Sequence, residues 1–142
     1  MERVTSLVET LVIPQPVMAE ISSGHSDVAA LWLRESGNQF IRPAVAELNE
    51  LAGSEIGAGE RAVISWAAAH RGFIAVLDDR EARSIAQRLG VRILGTVGVV
   101  LRLKRAGLVL DVKSHLVQIK KVGGYISDEL FREALRSAGE QP

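Results

Sequence analysis

The strongest candidates for chemistry are two adjacent acids, Asp78 and Asp79. They follow an apolar run at residues 73–77, which predicts a strand buried on both faces. Adjacent carboxylates offer hard oxygen ligands for magnesium or manganese. The alternative is structural: Asp78 can cap the next helix, with Glu81 three residues later completing an acidic version of the capping box. The residues alone leave both interpretations open.

Two further acids, Glu20 and Glu60, lie on predicted helices. Glu60 falls in the first turn of a helix predicted over residues 60–71, where the helix dipole stabilises an acid. Glu20 falls near the end of a short helix predicted over residues 16–21, where the same dipole disfavours an acid. The position of Glu20 therefore invites a functional explanation.

A glycine-rich turn, Gly95-Thr96-Val97-Gly98, stands at a predicted junction between a strand and a helix. Its backbone N–H groups can face a phosphate, but it lacks the spacing of a P-loop or a dinucleotide fingerprint. A tight turn with Thr96 as the helix cap is the structural alternative. A phosphate-binding protein that uses Gly95 to Gly98 is therefore the weakest of the functions considered.

Composition and charge exclude several kinds of protein. The 142 residues suit one domain, which we predict to span 1–142. Lys plus Arg and Asp plus Glu number 17 each, which argues against a protein that coats nucleic acid by charge alone. The chain has no cysteine, which rules out disulfides and thiolate metal sites and suits a cytoplasmic location. We also expect no membrane segment.

The histidines give little support to a histidine-based hydrolase. His25, His70 and His115 are scattered along the chain and form no metal-spaced pair. Basic residues gather late in the sequence. They either line a groove for a phosphate backbone or form the solvated faces of two helices. These residues are Arg102, Lys104, Arg105, Lys113, Lys120 and Lys121.

Short apolar runs alternate with helical patterns along the chain, which predicts an α/β fold with a parallel sheet. Ligands of such sheets bind beyond the carboxyl ends of the strands, where Asp78, Asp79, Gly95 and Thr96 are predicted to lie. Strands are predicted at residues 11–13, 40–41, 73–77 and 91–94. Further helices are predicted at residues 28–35, 44–51, 79–89, 96–105 and 112–122, and from Ser127 to 137.

The order of these segments resembles the PIN-domain nucleases, in particular an uncharacterised subgroup similar to VapC-type toxins of toxin–antitoxin pairs. The resemblance covers nearly the whole chain and is strongest from Gly57 onward. The resemblance rests on five segments. The first is a strand followed by a proline and a helix that carries an acid, and the second is a Gly-Glu helix start. The third is a strand followed by an acid and Ala-Arg, the fourth is a Gly-Thr-x-Gly turn, and the fifth is a closing helix. These segments are residues 12–20, 57–64, 75–83, 94–100 and 124–130.

The resemblance implies a three-layer α/β/α fold and a magnesium- or manganese-dependent ribonuclease. The metal of such a nuclease polarises the scissile phosphate and generates the attacking hydroxide, which leaves a 3′-hydroxyl and a 5′-phosphate. By position, the resemblance makes Glu20, Glu60 and Asp78 the metal-binding acids, with Asp79 as a neighbour or substitute and Thr96 close by. It further implies RNA as substrate, an antitoxin as partner and a homodimer.

One departure from the family pattern bears on activity. Nothing before Val12 matches the family's first strand, which ends in a principal metal-binding acid. We therefore expect that strand and its acid to be missing, which leaves two functions in competition. The first is a toxin-type ribonuclease, and the second is a catalytically inactive PIN-like module that binds a partner.

Overall fold

A computed structural model describes residues 2–23 and 27–141, and within them the chain forms two compact units. The strand unit is Leu11–Leu94, and the helical unit combines Met1–Thr10 with Gly95–Pro142. The single-domain prediction stays a prediction. The elements in chain order are α1 (Glu2–Thr5), β1 (Ile13–Pro14), α2 (Gln15–Ser23), α3 (Asp27–Trp32), β2 (Ile41–Arg42), α4 (Ala58–Ala69), β3 (Ala75–Val76), α5 (Arg80–Arg88), β4 (Ile93–Leu94), α6 (Thr96–Arg105), α7 (Val112–Lys121) and α8 (Asp128–Ser137).

The strand unit contains two pairs of short parallel strands, which confirms the predicted α/β class. β1 pairs with β2, and β3 pairs with β4. In the described residues the two pairs are separate sheets, although one sheet was predicted. Helix α4 packs against both β1 and β3. One helix therefore contacts a strand of each pair.

Strands β1, β3 and β4 are shorter than the predicted apolar runs, and β2 is shifted by one residue from its predicted position. β3 covers two residues of the predicted run at 73–77, yet its bonding to β4 reaches one residue further, because Leu77 N donates to Leu94 O at 2.9 Å. Apolar residues therefore extend past the paired backbone and pack into the core with α4 and α5. The buried residues of this core are Leu51, Ile56, Ile64, Ala67, Ala75, Leu77, Ala82, Ile85, Ala86 and Val91.

Two helix predictions in the strand unit need correction. The helix predicted over residues 28–35 ends at Trp32 and continues as a π-helical turn, Leu33–Gly37. A side chain on Gly37 would collide with the Trp32 ring, so glycine is what allows this close turn. The helix predicted over residues 44–51 is reduced to a 3-10 turn at Asn49–Leu51.

The helical unit has a core of its own, between α6, α7 and α8. The predicted cap of α8 is confirmed, because Ser127 Oγ accepts from Leu130 N at 3.2 Å. The predicted Thr96 cap is wrong, because Gly95 holds the cap position of α6 and Thr96 is its first residue. The buried residues of this core are Val97, Val100, Val112, Leu116, Ile126, Ala134 and Leu135.

Glu140 secures the chain's last turn to the amino end of α7. Its carboxylate accepts from Val112 N at 2.8 Å and from Lys113 N at 3.0 Å, and Lys104 Nζ lies 3.3 Å from it. Burial raises the pKa of Glu140, but these backbone N–H groups and the Lys104 ammonium outweigh it and hold the pKa below its ordinary value of 4.5. The carboxylate form of Glu140 therefore stabilises the helical unit.

Glu140→Gln is expected to lower the free energy of unfolding by about 1–3 kcal/mol, because a neutral amide replaces a charged acceptor of two N–H groups. Glu140 has a folded-state pKa below its unfolded value. Its stabilisation is therefore complete above about pH 4.5 and is lost as the pH falls through the folded pKa. Urea unfolding at decreasing pH measures both effects, with the exposed Glu133→Gln as the control. Equal losses in the native chain and in Glu140→Gln on acidification would contradict this assignment.

Candidate active site

All four acids singled out from the sequence line one cavity of about 240 Å³ in the strand unit. They come from three separate segments: α2, the first turn of α4, and the end of β3. The cavity therefore lies at the carboxyl end of a parallel strand, where the sequence predicted a ligand. Its lining residues are Val17, Glu20, Gly59, Glu60, Val63, Val76, Leu77, Asp78 and Asp79.

Glu20 reaches across the cavity to the amino end of α4. Its Oε1 accepts a hydrogen bond from Gly59 N at 2.8 Å. The sequence placed this acid at the unfavourable end of its own helix, but the carboxylate instead meets the favourable end of another. The N–H of Gly59 lies in the first turn of α4 and has no partner within that helix, so Glu20 also satisfies a helix terminus.

Glycine at position 59 allows this contact. A Cβ on Gly59 would overlap Glu20 Oε2 and lie 3.0 Å from the carboxyl carbon. In the sequence, the Gly-Glu segment at residues 57–64 predicted only a helix start. It did not identify Gly59 as the residue that positions Glu20, because the two residues are 39 positions apart.

Glu60 is half-buried and stands beside Glu20. A Cβ built on Gly57 would overlap Glu60 Oε2 and lie 3.3 Å from Glu20 Oε1. Both carboxylates therefore flank the same backbone position at the start of α4. The helix dipole offsets part of the repulsion between these two negative charges.

The structure assigns different local roles to the adjacent acids at the end of β3. Asp79 is the N-cap of α5, since its Oδ1 accepts from Ala82 N at 2.7 Å. The prediction that Asp78 caps this helix is therefore wrong. Asp78 is exposed, lines the cavity and immediately follows the buried Leu77.

Arg83 stabilises the backbone at the end of β3. Its Nη1 donates to Leu77 O at 3.1 Å, the carbonyl that precedes Asp78 in the chain. In the sequence, Arg83 stood out only as part of the Ala-Arg segment at residues 75–83. Its position one turn into α5 is the signal that it can reach back to the strand.

The glycine-rich turn lies in the other unit. Gly95 and Thr96 begin α6, and Gly95 O accepts from Val99 N at 3.0 Å within that helix. Neither residue is among those that line the cavity in the strand unit. The placement of Thr96 close to the acids stays a prediction.

The two described histidines are not part of the cavity lining. His70 Nδ1 lies 2.9 Å from Trp66 O, and His115 Nδ1 lies 2.9 Å from Asp111 O. Each ring is thus engaged with the backbone of its own helix or cap. His25 lies outside the described residues.

The donor chemistry of the cavity suits a hard divalent cation, because its polar side chains are four carboxylates. The four carboxylates do not, however, all point toward one position. Among residues 2–23 and 27–141, no three histidine, aspartate or glutamate side chains are arranged to hold a metal ion. Two carboxylates are also bonded to backbone N–H groups, Glu20 to Gly59 and Asp79 to Ala82. The four acids of the cavity therefore have the oxygen ligands that a divalent cation prefers.

Comparison with known protein families identifies a family for the chain. A family model described as a PIN domain matches residues 1–140 of the chain. No curated protein and no solved structure is significantly similar to this chain. In the part of the chain that the structure describes, every helix is too short or too polar to span a bilayer.

Proposed function

Because this chain belongs to the PIN-domain family, a family of nucleases, we propose that it hydrolyses RNA phosphodiester bonds with a divalent metal ion. The observation that carries this proposal is the single cavity lined by Glu20, Glu60, Asp78 and Asp79. Helix termini explain the positions of Glu20 and Asp79 singly, but they do not explain why four acids from three distant segments line one cavity. Mutual repulsion disfavours such a cluster, and a bound cation would relieve it.

Glu20, Glu60 and Asp78 are the residues that would hold magnesium or manganese. When bound, the cation supplies Lewis-acid chemistry, which neutralises phosphate charge and makes a water molecule more acidic. Gly59 N–H orients the Glu20 carboxylate, and Arg83 holds the carbonyl that precedes Asp78. Asp79 anchors α5 and thereby fixes the direction of the backbone at Asp78.

The biological setting belongs to the same proposal. The chain acts on RNA in the cytoplasm, as a homodimer, and an antitoxin protein holds it in check. The resemblance to VapC-type toxins supports this setting. Co-purification of the chain with the product of a neighbouring small reading frame tests it.

A second candidate function is a catalytically inactive PIN-like module that binds a partner. The observation that favours it is the lack, among the described residues, of three acids already arranged around one point. A measurement of Mn²⁺ binding separates the two candidates, because the ribonuclease requires a bound metal ion and the inactive module does not.

The proposal predicts that the purified chain cleaves RNA only with added Mn²⁺ or Mg²⁺ and leaves 5′-phosphate ends. Removal of metal with EDTA is expected to abolish cleavage, and excess Mn²⁺ is expected to restore it. Gel analysis of a labelled RNA, with a phosphatase step to identify the ends, measures both. The Asp78→Asn, Asp79→Asn double variant serves as the inactive control. Cleavage that persists in EDTA, or in this variant, would sink the proposal.

A further inference from the structure

The chain's lysines are concentrated in the helical unit, mainly on one helix. All four lysines lie between positions 104 and 121, and three of them are on α7, which has no acidic residue. The zero net charge of the whole chain therefore conceals a local excess. An excess of this kind is the electrostatic footprint expected of a site for phosphate groups.

These lysines share one face of α7. Lys113, Val117, Lys120 and Lys121 are spaced at four, seven and eight residues, so they form a stripe along the helix. All four are exposed, whereas Val112 and Leu116 of the same helix are fully buried. We call this stripe, together with Tyr125 just beyond it, the α7 surface.

Tyr125 is 92% exposed, far more than Val117, the other apolar residue of the α7 surface. The backbone that carries it is nevertheless closely packed. Gly124 N donates to Ile119 O at 2.9 Å, and a Cβ on Gly124 would overlap the Ile119 side chain. The ring is therefore presented to solvent from a position fixed relative to α7, which lowers the entropy lost on binding.

A hollow of about 320 Å³ lies beside the Tyr125 ring. Lys120 lines it, and the Asp128 carboxylate, whose Oδ1 lies 3.2 Å from Lys120 Nζ, offsets part of its charge. The same ammonium lies 5.4 Å from the centre of the Phe131 ring. The Asp128 carboxylate disfavours a phosphate in the hollow itself but can accept an N–H from the edge of a base. The hollow thus suits a nucleobase, and Lys113 and Lys121 suit the flanking phosphates.

From these contacts we propose that the α7 surface binds single-stranded RNA, with a base stacked on Tyr125 and phosphates at Lys113 and Lys121. The choice of RNA rests on the proposed ribonuclease function. Exposed aromatic rings beside lysines are the common device for single strands, where each stacked base contributes substantially to affinity. A protein interface is less favoured, since lysine is depleted from the cores of such interfaces.

The test is fluorescence anisotropy of a short labelled single-stranded RNA bound to the full chain in EDTA, where cleavage does not occur. Tyr125→Ala is expected to weaken binding about tenfold, and Tyr125→Phe is expected to bind as the native chain does. For the Lys113→Gln, Lys121→Gln double variant, the slope of log affinity against log salt concentration is expected to be smaller in magnitude by about 1.4. The Arg71→Gln, Arg88→Gln pair makes the same charge change at exposed sites of the strand unit, and it serves as the matched control.

Equal affinity of the native chain and Tyr125→Ala, or equal losses in the lysine and arginine pairs, would overturn the proposal. A Tyr125→Ala variant that changes only the oligomeric state, read by light scattering, would assign the surface to a second copy and overturn it too. Failure of the nuclease proposal is distinguishable, because cleavage can be absent while Tyr125-dependent binding in EDTA persists.

Discussion

Replacing Asp78 with asparagine is expected to reduce metal-dependent RNA cleavage at least about 100-fold while leaving the fold intact. The substitution exchanges an anionic oxygen for a neutral amide in the cavity shared with Glu20 and Glu60. It leaves the cap of α5 in place, because Asp79 makes that hydrogen bond. Initial cleavage rates with Mn²⁺, together with thermal unfolding, measure activity and stability separately.

Asp79 provides the matched control one residue away. Asp79→Asn is expected to keep stability, since asparagine caps helices about as well as aspartate, whereas Asp79→Ala is expected to lower the free energy of unfolding by about 1 kcal/mol. Full activity of Asp78→Asn would remove this residue from the proposed metal site. Loss of activity in Asp79→Asn alone would identify Asp79, and not Asp78, as the metal-binding acid.

Gly59→Ala is expected to lower cleavage at least about tenfold, because a Cβ at this position occupies the space of Glu20 Oε2. The Glu20 carboxylate must then move and lose its bond to Gly59 N. The substitution is informative because alanine normally strengthens a helix relative to glycine. Any loss therefore arises from the contact with Glu20.

A double-mutant cycle isolates that contact. In a Glu20→Ala background the collision is absent, so Gly59→Ala is expected to raise the free energy of unfolding by up to about 1 kcal/mol. In the native background the same change is expected to be neutral or destabilising. Denaturant unfolding of the four chains measures the difference without any activity assay. An identical effect of Gly59→Ala in both backgrounds would show that position 59 does not position Glu20.

The sequence was sufficient for features that are local or periodic. Alternating apolar runs and helical patterns predicted the α/β class, and the rule for parallel strands directed attention to Asp78 and Asp79 at the end of β3. The cap at Ser127 was also predictable, since a serine before an amphipathic helix has one evident role. Each of these inferences needs only neighbouring residues.

Features that depend on contacts between distant segments were not predictable. Asp78 and Asp79 are equally good caps in sequence, and only the path of the backbone into α5 selects Asp79. The bond between Glu20 and Gly59 joins residues 39 positions apart, so helix position alone made Glu20 look unfavourably placed. The ends of β3 were likewise set by pairing with β4, which a continuous apolar run does not reveal.

Calorimetric titration of Mn²⁺ into the native chain and into Asp78→Asn decides whether the acids of the strand-unit cavity form a divalent metal site. We expect saturable binding to the native chain that is lost or greatly weakened in Asp78→Asn, with both chains equally folded. Absence of binding to the native chain, or equal binding to both chains, would contradict the proposed metal site.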